Sequence, residues 1–592
     1  MVTVFNVTQS ILGQPWHWRG GVMPDPGSGS ANDLDDIVHQ LFRARGAANV
    51  DIDRLRSAKL RDWLPDPSIF RDMDVAAIRI VAAIRAGEPI VVFGDYDVDG
   101  ATSAALLIRL VRDVGGVASA YIPDRLLEGY GPSPGAMTAL AAAGASLIVT
   151  VDCGTQGFAA LAAARDAGVD VIVVDHHQAS TALPPAFAVV NPNRLDEGDG
   201  AAFRHLAAVG VAFLLAVAIN RQLRRDGWYA ERSEPVLLDL LDLVALGTVA
   251  DVVPLTGLNR AMVTQGLKVM ASRRNLGLAA LIDVAGIERA PQARDLGFAL
   301  GPRINAGGRV GKSDLGVRLL TTADPDEATA LAAELDRLNL ERRTIETLVT
   351  DEATARSGSN LTEAVAVISG ENWHPGVIGI VASRLKDRLK RPVIVIAVEI
   401  DAAGRRIGKG SGRSVPGVDL GGAVLAAKDL GLLVAGGGHA MAAGLTIEAD
   451  RIDAFAAFLD ERLGSDVGLS QRQSALMVDA ALSPRGVCVE LSDVLDGAGP
   501  YGQGWPAPRV ASGPWKIVKC DIVGENHVRL ILSGHDGARL KAMAFRHGDS
   551  PLGVALAGAR DRSFYVSGRV QRDDWGRTPT AELHLDDIAW AD

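Results

Sequence analysis

Short runs of β-branched and other apolar residues alternate with longer Ala/Leu-rich runs from Pro89 onward. Apolar runs of strand length occupy residues 90–93, 146–151 and 171–174, and the residues at 101–112 and 158–167 have the composition of helices. Strands that are buried on both faces read as continuous apolar runs, and strands joined by helices pair in parallel. The pattern therefore predicts an α/β fold with a doubly wound parallel sheet.

A single long helix is predicted after this region. Asp324 has the character of an N-cap and Pro325 that of a first helical residue. The residues that follow, to about Ala355, contain neither Gly nor Pro and are rich in Ala, Leu, Glu and Arg. A helix of this length is expected to connect two domains.

The last part of the chain changes pattern twice. Strand-like runs at 365–368 and 393–398 flank a helical run at 376–389, and glycine-rich stretches follow at 408–412 and 436–444. This pattern predicts a second, smaller α/β domain. From about residue 471, strand-like runs separated by turn residues predict a small β-barrel.

These changes divide the sequence into five expected parts. They are an N-terminal segment (1–75), a large α/β domain (76–323), a connecting helix (324–357), a smaller α/β domain (358–468) and a barrel (471–592). The first segment contains a Pro/Gly/Ser-rich loop at 23–30 and carries no chemistry that its sequence identifies.

Composition narrows the class of protein. Apolar residues make up 48% of the chain, which is ample for several cores, and the longest apolar stretch, 206–219, is shorter than the ~20 residues of a membrane-spanning helix. Three scattered cysteines favour a reducing compartment, and a cytoplasmic location is expected. The net charge of −11 argues against non-specific coating of nucleic acid but is compatible with a local basic channel.

Candidate chemistry begins directly after the first predicted strand. Asp95, Asp97 and Asp99 alternate along one short loop, and carboxylates this close repel each other unless cations neutralise them. A solvated turn, or a loop in which one aspartate caps the next helix, is the alternative interpretation. The loop alone does not separate these two interpretations.

Three further acidic clusters occur in the same predicted domain. Asp152 ends the second predicted strand, Asp175-His176-His177 ends the third, and Asp251 follows a helical run at 236–246. Taken singly, each would read as a helix cap or as ordinary polar packing. Parallel strands gather their ligand groups at their carboxyl ends, and a mainly oxygen set with one imidazole suits Mn²⁺ or Mg²⁺. Two such ions about 3.5–4 Å apart would support phosphoester hydrolysis.

A family resemblance emerges from these and other motifs in consistent order over about residues 75–590. The motifs are Asp95 to Gly100, Pro123 to Arg125, Glu128 to Gly131, Asp175 to His177, Gly301 to Arg309, Leu338 to Arg343, Ser411 to Ser414, Gly437 to Gly444 and Pro500 to Pro506. The chain resembles the DHH phosphoesterase superfamily and, within it, the RecJ family. So many ordered motifs are far more specific than a lone glycine motif.

The resemblance implies a metal site and a catalytic group. It implies metal ligands at Asp95, Asp97, Asp99, Asp152, His176 and Asp251. Asp95 is expected either to bind metal or to support a ligand, and Asp152 is the expected bridge between ions. His177 is expected to contact the scissile phosphate or to assist proton transfer, so that the catalytic candidates are Asp152 and His177.

The resemblance also implies a substrate-binding set. Its members are Arg125, Tyr130, Arg303, Asn305, Arg309, Ser411, Gly412, Arg413 and His439. Among them the arginines Arg125, Arg309 and Arg413 are the expected clamp for the 5′ phosphate, because a guanidinium binds phosphate through parallel hydrogen bonds. Surface salt bridges are the alternative for each arginine, and a packing turn is the alternative for Gly437 to Gly444.

The activity implied is single-stranded-DNA-specific 5′→3′ exonuclease activity with two divalent metal ions, releasing 5′-mononucleotides in DNA repair and recombination. The implied parts are a DHH domain, a DHHA1-like domain and an OB-fold barrel. The implied partners are single-stranded DNA with a 5′ end, a single-strand-binding protein and a helicase, with no membrane. Two alternatives stay open: a phosphodiesterase for short oligonucleotides or cyclic dinucleotides, and a non-catalytic scaffold that binds DNA.

Overall fold

A computed structural model describes residues 2–21, 33–124, 128–129, 131–357, 363–401, 403–472, 475–559 and 562–591. The predicted loop at 23–30 and the candidate residues Arg125 and Tyr130 lie outside the described residues. The chain forms two compact units. The first comprises Met1–Pro123, Tyr130–Gly301 and Ala475–Asp592, and the second comprises Asp124–Gly129 and Pro302–Ser474.

The first unit opens with strand β1 and three helices before its main sheet. They are β1 (Trp16–Trp18), α1 (Leu34–Arg43), α2 (Ile52–Ser57) and α3 (Met73–Ala86). Helix α3 ends at Gly87, whose φ of 68° is the left-handed conformation that glycine adopts at low cost.

The predicted parallel sheet is confirmed. Its elements in chain order are β2 (Pro89–Gly94), α4 (Val98–Asp113), β3 (Val117–Tyr121), α5 (Pro134–Ala142), β4 (Leu147–Val151), α6 (Phe158–Asp166), β5 (Asp170–Val174) and β6 (Ala188–Val190). The strand order is β3-β2-β4-β5-β6, and every pairing is parallel. Strands β3 and β4 lie on opposite sides of β2, so the crevice in which such sheets bind ligands opens at the carboxyl ends of β2 and β4.

A set of mostly buried helices completes the first α/β domain. They are α7 (Ala208–Arg225), α8 (Leu241–Ala250), α9 (Gly257–Ala271), α10 (Leu276–Val284) and α11 (Ala293–Asp295), followed by a π-helical turn at Leu296–Leu300. The helical run predicted at 236–246 is displaced, because a 3₁₀ turn occupies Leu237–Leu240 before α8 begins. None of the described helices is both long enough and apolar enough to span a bilayer.

The second unit contains the long helix and the smaller sheet. Its elements are α12 (Gly301–Val310, entered from the last residue of the first unit), α13 (Leu315–Thr321), α14 (Pro325–Ser357), β7 (Ala366–Glu371), α15 (Ile378–Leu389), β8 (Val393–Ile400), β9 (Arg406–Arg413), α16 (Leu420–Asp429), β10 (Ala435–His439), β11 (Ala442–Glu448) and α17 (Ile452–Arg472). The predicted start of α14 is confirmed, because the Asp324 side chain accepts the Asp326 N–H at 2.9 Å.

The sheet of the second unit has the order β10-β11-β9-β8-β7, in which only β7 and β8 pair in parallel. The alternating glycines of β9 face its core. A Cβ on Gly408 would lie 2.6 Å from Ile396 Cγ2, and a Cβ on Gly410 would lie 2.7 Å from Leu445 Cδ1. These glycines therefore allow close packing within the sheet.

The chain returns to the first unit with the predicted barrel, which is confirmed as a closed OB-fold. Its elements are β12 (Leu476–Val478), β13 (Ala480–Leu482), α18 (Val489–Gly497), β14 (Val510–Val523), β15 (His527–Gly534), β16 (Arg539–Ala544), α19 (Pro551–Gly558), β17 (Phe564–Asp573) and β18 (Thr580–Trp590). The closed circuit is β14-β15-β16-β18-β17, with β17 pairing again to β14. The strand pattern expected from residue 471 is corrected, because α17 extends to Arg472 and strands resume at Leu476.

The N-terminal segment, for which the sequence indicated no role, packs against this region. Strand β1 pairs in parallel with β12, and the buried Trp16 donates from Nε1 to Asp587 Oδ2 at 3.2 Å. Arg19 and Arg45 both pair with the buried Asp479, at 2.8 Å and 2.7 Å. The N-terminal segment therefore packs against β12 and against residues of the barrel.

Candidate metal centre

The loop between β2 and α4 presents the first set of carboxylates. Asp97 caps α4, because its Oδ1 accepts the Gly100 N–H at 3.0 Å. A Cβ on Gly100 would lie 2.6 Å from the Asp95 nitrogen, so glycine is required there for the loop to fold back on itself. Asp97 therefore caps the helix, as the alternative interpretation expected. It also lies close to Asp95 and Asp152, so that the capping residue belongs to the carboxylate cluster as well.

Asp152 and Asp175 occupy equivalent positions at the ends of β4 and β5. Asp152 is buried and has a φ of 59°, a left-handed conformation that aspartate tolerates better than most residues. Asp175 is also buried and accepts three backbone N–H groups, from His176 at 2.7 Å, His177 at 3.1 Å and Thr155 at 3.1 Å. Asp175 therefore organises the loop that carries the two histidines.

The ring of His176 is oriented by a main-chain acceptor. Its Nδ1 lies 3.1 Å from the carbonyl oxygen of Leu206, and a hydrogen bond to a carbonyl requires the proton on Nδ1. The Nε2 atom then presents its lone pair towards three carboxylates. The distances from Nε2 are 3.3 Å to Asp152 Oδ1, 3.6 Å to Asp251 Oδ2 and 3.9 Å to Asp99 Oδ2.

Asp99 and Asp251 approach this point from two helices. Asp99, near the start of α4, accepts the N–H groups of Ala208 and Val209 at 2.7 Å and 2.9 Å and so joins α4 to the start of α7. Asp251 ends α8, and its buried Oδ2 accepts a hydrogen bond from none of the described residues. A buried, unsatisfied carboxylate oxygen is the kind of atom that a cation would satisfy.

Three overlapping groups of side chains have ligand atoms within 4.8 Å of one another. The groups are Asp95, Asp97 and Asp152; Asp99, His176 and Asp251; and Asp152, His176 and His177. This set of carboxylates with one oriented imidazole fits divalent cations such as Mn²⁺ or Mg²⁺.

The electrostatics of the site indicate the same requirement. Burial and the nearby Asp97 raise the pKa of Asp99 to about 7. Burial and the charge of Asp99 raise the pKa of Asp251 to about 9, and burial with the same neighbours raises the pKa of Asp152 well above its usual value. Because the carboxylates oppose one another's ionisation, cations are needed to keep all of them charged at neutral pH.

His177 differs from His176 in charge. Burial opposes protonation of its ring, but the bond between Nδ1 and Asp175 Oδ1, at 2.7 Å, outweighs that effect and raises the pKa of His177 to about 9. Burial lowers the pKa of His176, so the neighbouring rings favour opposite protonation states. His177 is therefore a half-exposed cation at the edge of the acidic cluster.

Several supporting residues were missing from the sequence-based set. Asn191 donates from Nδ2 to Thr155 Oγ1 and to the His177 carbonyl oxygen, both at 2.9 Å, and Asn193 donates to the His176 carbonyl oxygen. Both follow β6, a three-residue strand that the sequence pattern did not resolve. Its short apolar run before Asn-Pro-Asn is the signal that would have indicated them.

Three members of the expected substrate-binding set, Arg309, Ser411 and Arg413, lie in the second unit and gather at the start of α15. Arg309 donates from Nη1 to the Gly376 carbonyl oxygen at 2.9 Å, and Arg413 donates to Ser411 Oγ at 3.1 Å. A Cβ on Gly379, in the first turn of α15, would lie 3.0 Å from Ser411 Oγ. Guanidinium groups beside a helix N-terminus form a favourable environment for a phosphate.

The other described members of the expected set differ in their contacts, and among them Gly412 accepts a hydrogen bond from Arg413 Nη1 at its carbonyl oxygen, at 2.8 Å. Arg303 forms a 2.9 Å ion pair with Asp336. Gly412 lies in β9, which pairs on both sides, and a Cβ on it would meet Leu420 at 2.7 Å, so its position favours packing. Asn305 is half-buried in α12, and His439 is exposed at the end of β10.

Family models match three parts of the chain: the DHH family N-terminal domain at residues 89–248, the DHHA1 domain at 361–465 and the RecJ OB domain at 478–587. Among curated proteins, the single-stranded-DNA-specific exonuclease RecJ of Dickeya dadantii is 42% identical over 523 residues, covering 86% of this chain and 88% of that protein. The protein of the same name from Escherichia coli is 39% identical over 522 residues, with the same coverage.

Solved structures give the same result. The RecJ structure from Thermus thermophilus in complex with Mn²⁺ matches with a TM-score of 0.76 at 28% identity, covering 97% of this chain and 79% of that one. A structure of exonuclease RecJ bound to manganese matches with a TM-score of 0.57 at 34% identity, covering 70% of this chain and 98% of that one.

Proposed function

The chain belongs to the RecJ family of single-stranded-DNA-specific exonucleases, and from that membership we infer that it degrades single-stranded DNA from the 5′ end. The reaction uses divalent cations, Mn²⁺ or Mg²⁺, and yields 5′-mononucleotides. One observation on this chain supports the function most directly. The carboxylates of Asp99, Asp152 and Asp251 surround Nε2 of His176.

We propose that Asp95, Asp97 and Asp152 hold one cation and that Asp99, His176 and Asp251 hold the other. Asp152 Oδ1 lies 3.3 Å from His176 Nε2, which supports Asp152 as the carboxylate shared between the two sets. When bound, the cations supply Lewis acidity and a water molecule activated for attack on phosphorus. The Leu206 carbonyl and the Asp175 carboxylate serve this site by holding the two histidine rings.

His177 has a different role in this proposal. A ring whose Nδ1 is bonded to Asp175 and whose pKa is raised to about 9 is protonated at neutral pH. A protonated imidazole is a poor metal ligand but a good donor to a phosphate oxygen. His177 therefore stabilises the negative charge of the phosphodiester and can supply a proton to the departing 3′ oxygen.

Recognition of the 5′ end is assigned to the cluster at the start of α15. Arg309, Arg413 and Ser411 provide charged and hydroxyl donors there, and Gly379 leaves space beside them. Of the remaining expected residues, Arg125 and Tyr130 keep their place in the proposal through the family resemblance alone. Arg303, Asn305, Gly412 and His439 likewise stay in the proposed substrate-binding set through the family resemblance, and Gly412 also accepts a hydrogen bond from Arg413 at 2.8 Å.

The partners and the compartment are likewise proposals. A single-strand-binding protein and a helicase would deliver 5′ ends to the enzyme, in repair and recombination in the cytoplasm, and the family membership is what supports them. No disulfide joins any of the three cysteines, all of which lie within the described residues, and this agrees with a reducing compartment.

A chain-length series tests the function against its alternatives. We expect 5′-phosphorylated single strands of 2, 5, 20 and 60 nucleotides, with Mn²⁺, to be degraded with a preference for the longer strands. A preference for the dinucleotide would instead favour a phosphodiesterase for short substrates. Binding of the 60-mer without metal-dependent hydrolysis by the purified protein would favour a scaffold.

A further inference from the structure

The segment between α18 and β14 packs against the loop that carries Asp251. We call residues 499–505 the brace and residues 251–256 the Asp251 loop; both belong to the first unit. The Leu255 N–H donates to the Gln503 carbonyl oxygen at 2.8 Å. A Cβ on Gly504, whose φ is 70°, would lie 2.9 Å from Pro254 Cβ. The brace and the Asp251 loop are therefore in direct contact, and a glycine makes that contact possible.

Arg260 fastens the brace to the helix that continues from the Asp251 loop. It lies in the first turn of α9, is 1% exposed, and donates to the carbonyl oxygens of Ala498, Gly499 and Pro500 at 2.8, 2.5 and 3.1 Å. Its guanidinium also lies 4.7 Å from the ring centroid of Trp505. Within the described part of the chain Arg260 forms no ion pair, and its buried guanidinium is satisfied by these three carbonyl oxygens together with that of Leu55, to which Nε donates at 3.2 Å.

The Asp251 loop is also tied to the segment that orients His176. Asn259 donates from Nδ2 to the Pro254 carbonyl oxygen at 3.0 Å and to the His205 carbonyl oxygen at 2.6 Å. His205 directly precedes Leu206, whose carbonyl holds the His176 ring. Val252 has a φ of 62°, a conformation that a β-branched residue adopts only where its surroundings impose it.

From these contacts we propose that the brace positions Asp251 for cation binding, so that the segment between α18 and β14 sets the occupancy of one of the two cation sites. Gly504 and Arg260 are positioning residues, because they belong to none of the candidate ligand groups. The proposal rests on the assignment of Asp251 as a ligand made above. In this proposal the Pro500 to Pro506 motif positions a metal ligand and does not need to contact DNA.

Titration calorimetry of the whole chain with Mn²⁺ as the only ligand tests the proposal. We expect Gly504→Ala to weaken one of two Mn²⁺ binding events about 10- to 100-fold, as displaced supporting groups do at other metal sites, and to leave the second event unchanged. The matched control is Gly537→Ala, since Gly537 is also left-handed, with a φ of 82°, but a Cβ there meets open space. The control should bind as the unsubstituted protein does.

Asp251→Asn separates failure of this proposal from failure of the ligand assignment. If Asp251→Asn loses one Mn²⁺ while Gly504→Ala keeps both at full affinity, the brace does not position Asp251 and the proposal is overturned. If Asp251→Asn keeps both ions, the ligand assignment itself is wrong. Should Gly504→Ala not fold, Arg260→Lys gives the same test, because lysine keeps the charge but cannot reach three carbonyls with one planar fork.

Discussion

His176 and Leu206 are joined by a hydrogen bond in which the imidazole Nδ1 lies 3.1 Å from the carbonyl oxygen, and this bond decides which ring nitrogen faces the carboxylates. Two residues after Leu206, helix α7 begins with Ala208 and Val209. The backbone N–H groups of these two residues donate hydrogen bonds to the carboxylate of Asp99. One short segment therefore orients an imidazole and a carboxylate of the proposed cation site through main-chain atoms alone.

Replacing Asp152 with asparagine should separate activity from stability. Burial and the surrounding carboxylates raise the pKa of Asp152, so its charge destabilises the metal-free fold. We expect Asp152→Asn to lower exonuclease activity at least ~10²-fold and to raise the free energy of unfolding of the metal-free protein at pH 8. Denaturant unfolding in EDTA measures the second effect, and the exposed Asp166→Asn is the control. Lower stability in Asp152→Asn would contradict the account.

Cation affinity should depend on pH. With pKa values of about 7 for Asp99 and about 9 for Asp251, the metal-free site carries protons that cation binding displaces. The Kd for Mn²⁺ should therefore fall by about tenfold per pH unit between pH 6 and 8, with release of protons to the buffer. Calorimetry in buffers of different ionisation enthalpy counts those protons. A Kd that is constant over this range would contradict the proposed ligands.

The same shifts set the pH dependence of the metal-free protein. Groups with raised folded pKa values contribute stability below their unfolded value, near 4, and lose it as the pH rises through their folded values. Thermal unfolding in EDTA should therefore occur at lower temperature as the pH rises from 6 to 9. Saturating Mn²⁺ should remove most of this loss, and an equal loss with and without Mn²⁺ would argue against the site.

The charge of His177 should depend on Asp175. Removing the carboxylate by Asp175→Asn should lower the pKa of His177 from about 9 towards the usual value near 6.5, since the hydrogen bond from Nδ1 to a carboxylate is what raises it. NMR titration of the histidine ring protons in metal-free protein measures this pKa. Asp166→Asn should leave the titration unchanged, and an unaltered His177 in Asp175→Asn would remove the basis for its role as a cationic donor.

The fold was largely predictable because its main signals are local. The apolar runs of β2, β4 and β5 and the cap at Asp324 each depend on neighbouring residues, and both the parallel sheet and the start of α14 are confirmed. Strand β3 was missed because it is half-exposed, and β6 because it has three residues.

The side chains of the candidate site could be proposed from the sequence, but the residues that position those side chains could not. Asp97 and Asp152 follow strands whose ends meet, so their proximity follows from the sheet order. The orientation of His176 depends on the main-chain carbonyl of Leu206, which is distant in sequence and has no residue-type signature. The approach of Gly504 to Pro254 likewise joins segments far apart in the chain, which local patterns do not reveal.

Degradation of end-labelled single strands tests the central claim most directly. Single strands labelled at the 5′ or the 3′ end are incubated with Mn²⁺ and either the unsubstituted protein, Asp152→Ala or the exposed control Asp166→Ala, with a duplex alongside. We predict immediate release of the 5′ label as mononucleotide by the unsubstituted protein and the control, sparing of the duplex, and loss of activity in Asp152→Ala. Earlier release of the 3′ label, or full activity in Asp152→Ala, would contradict the account.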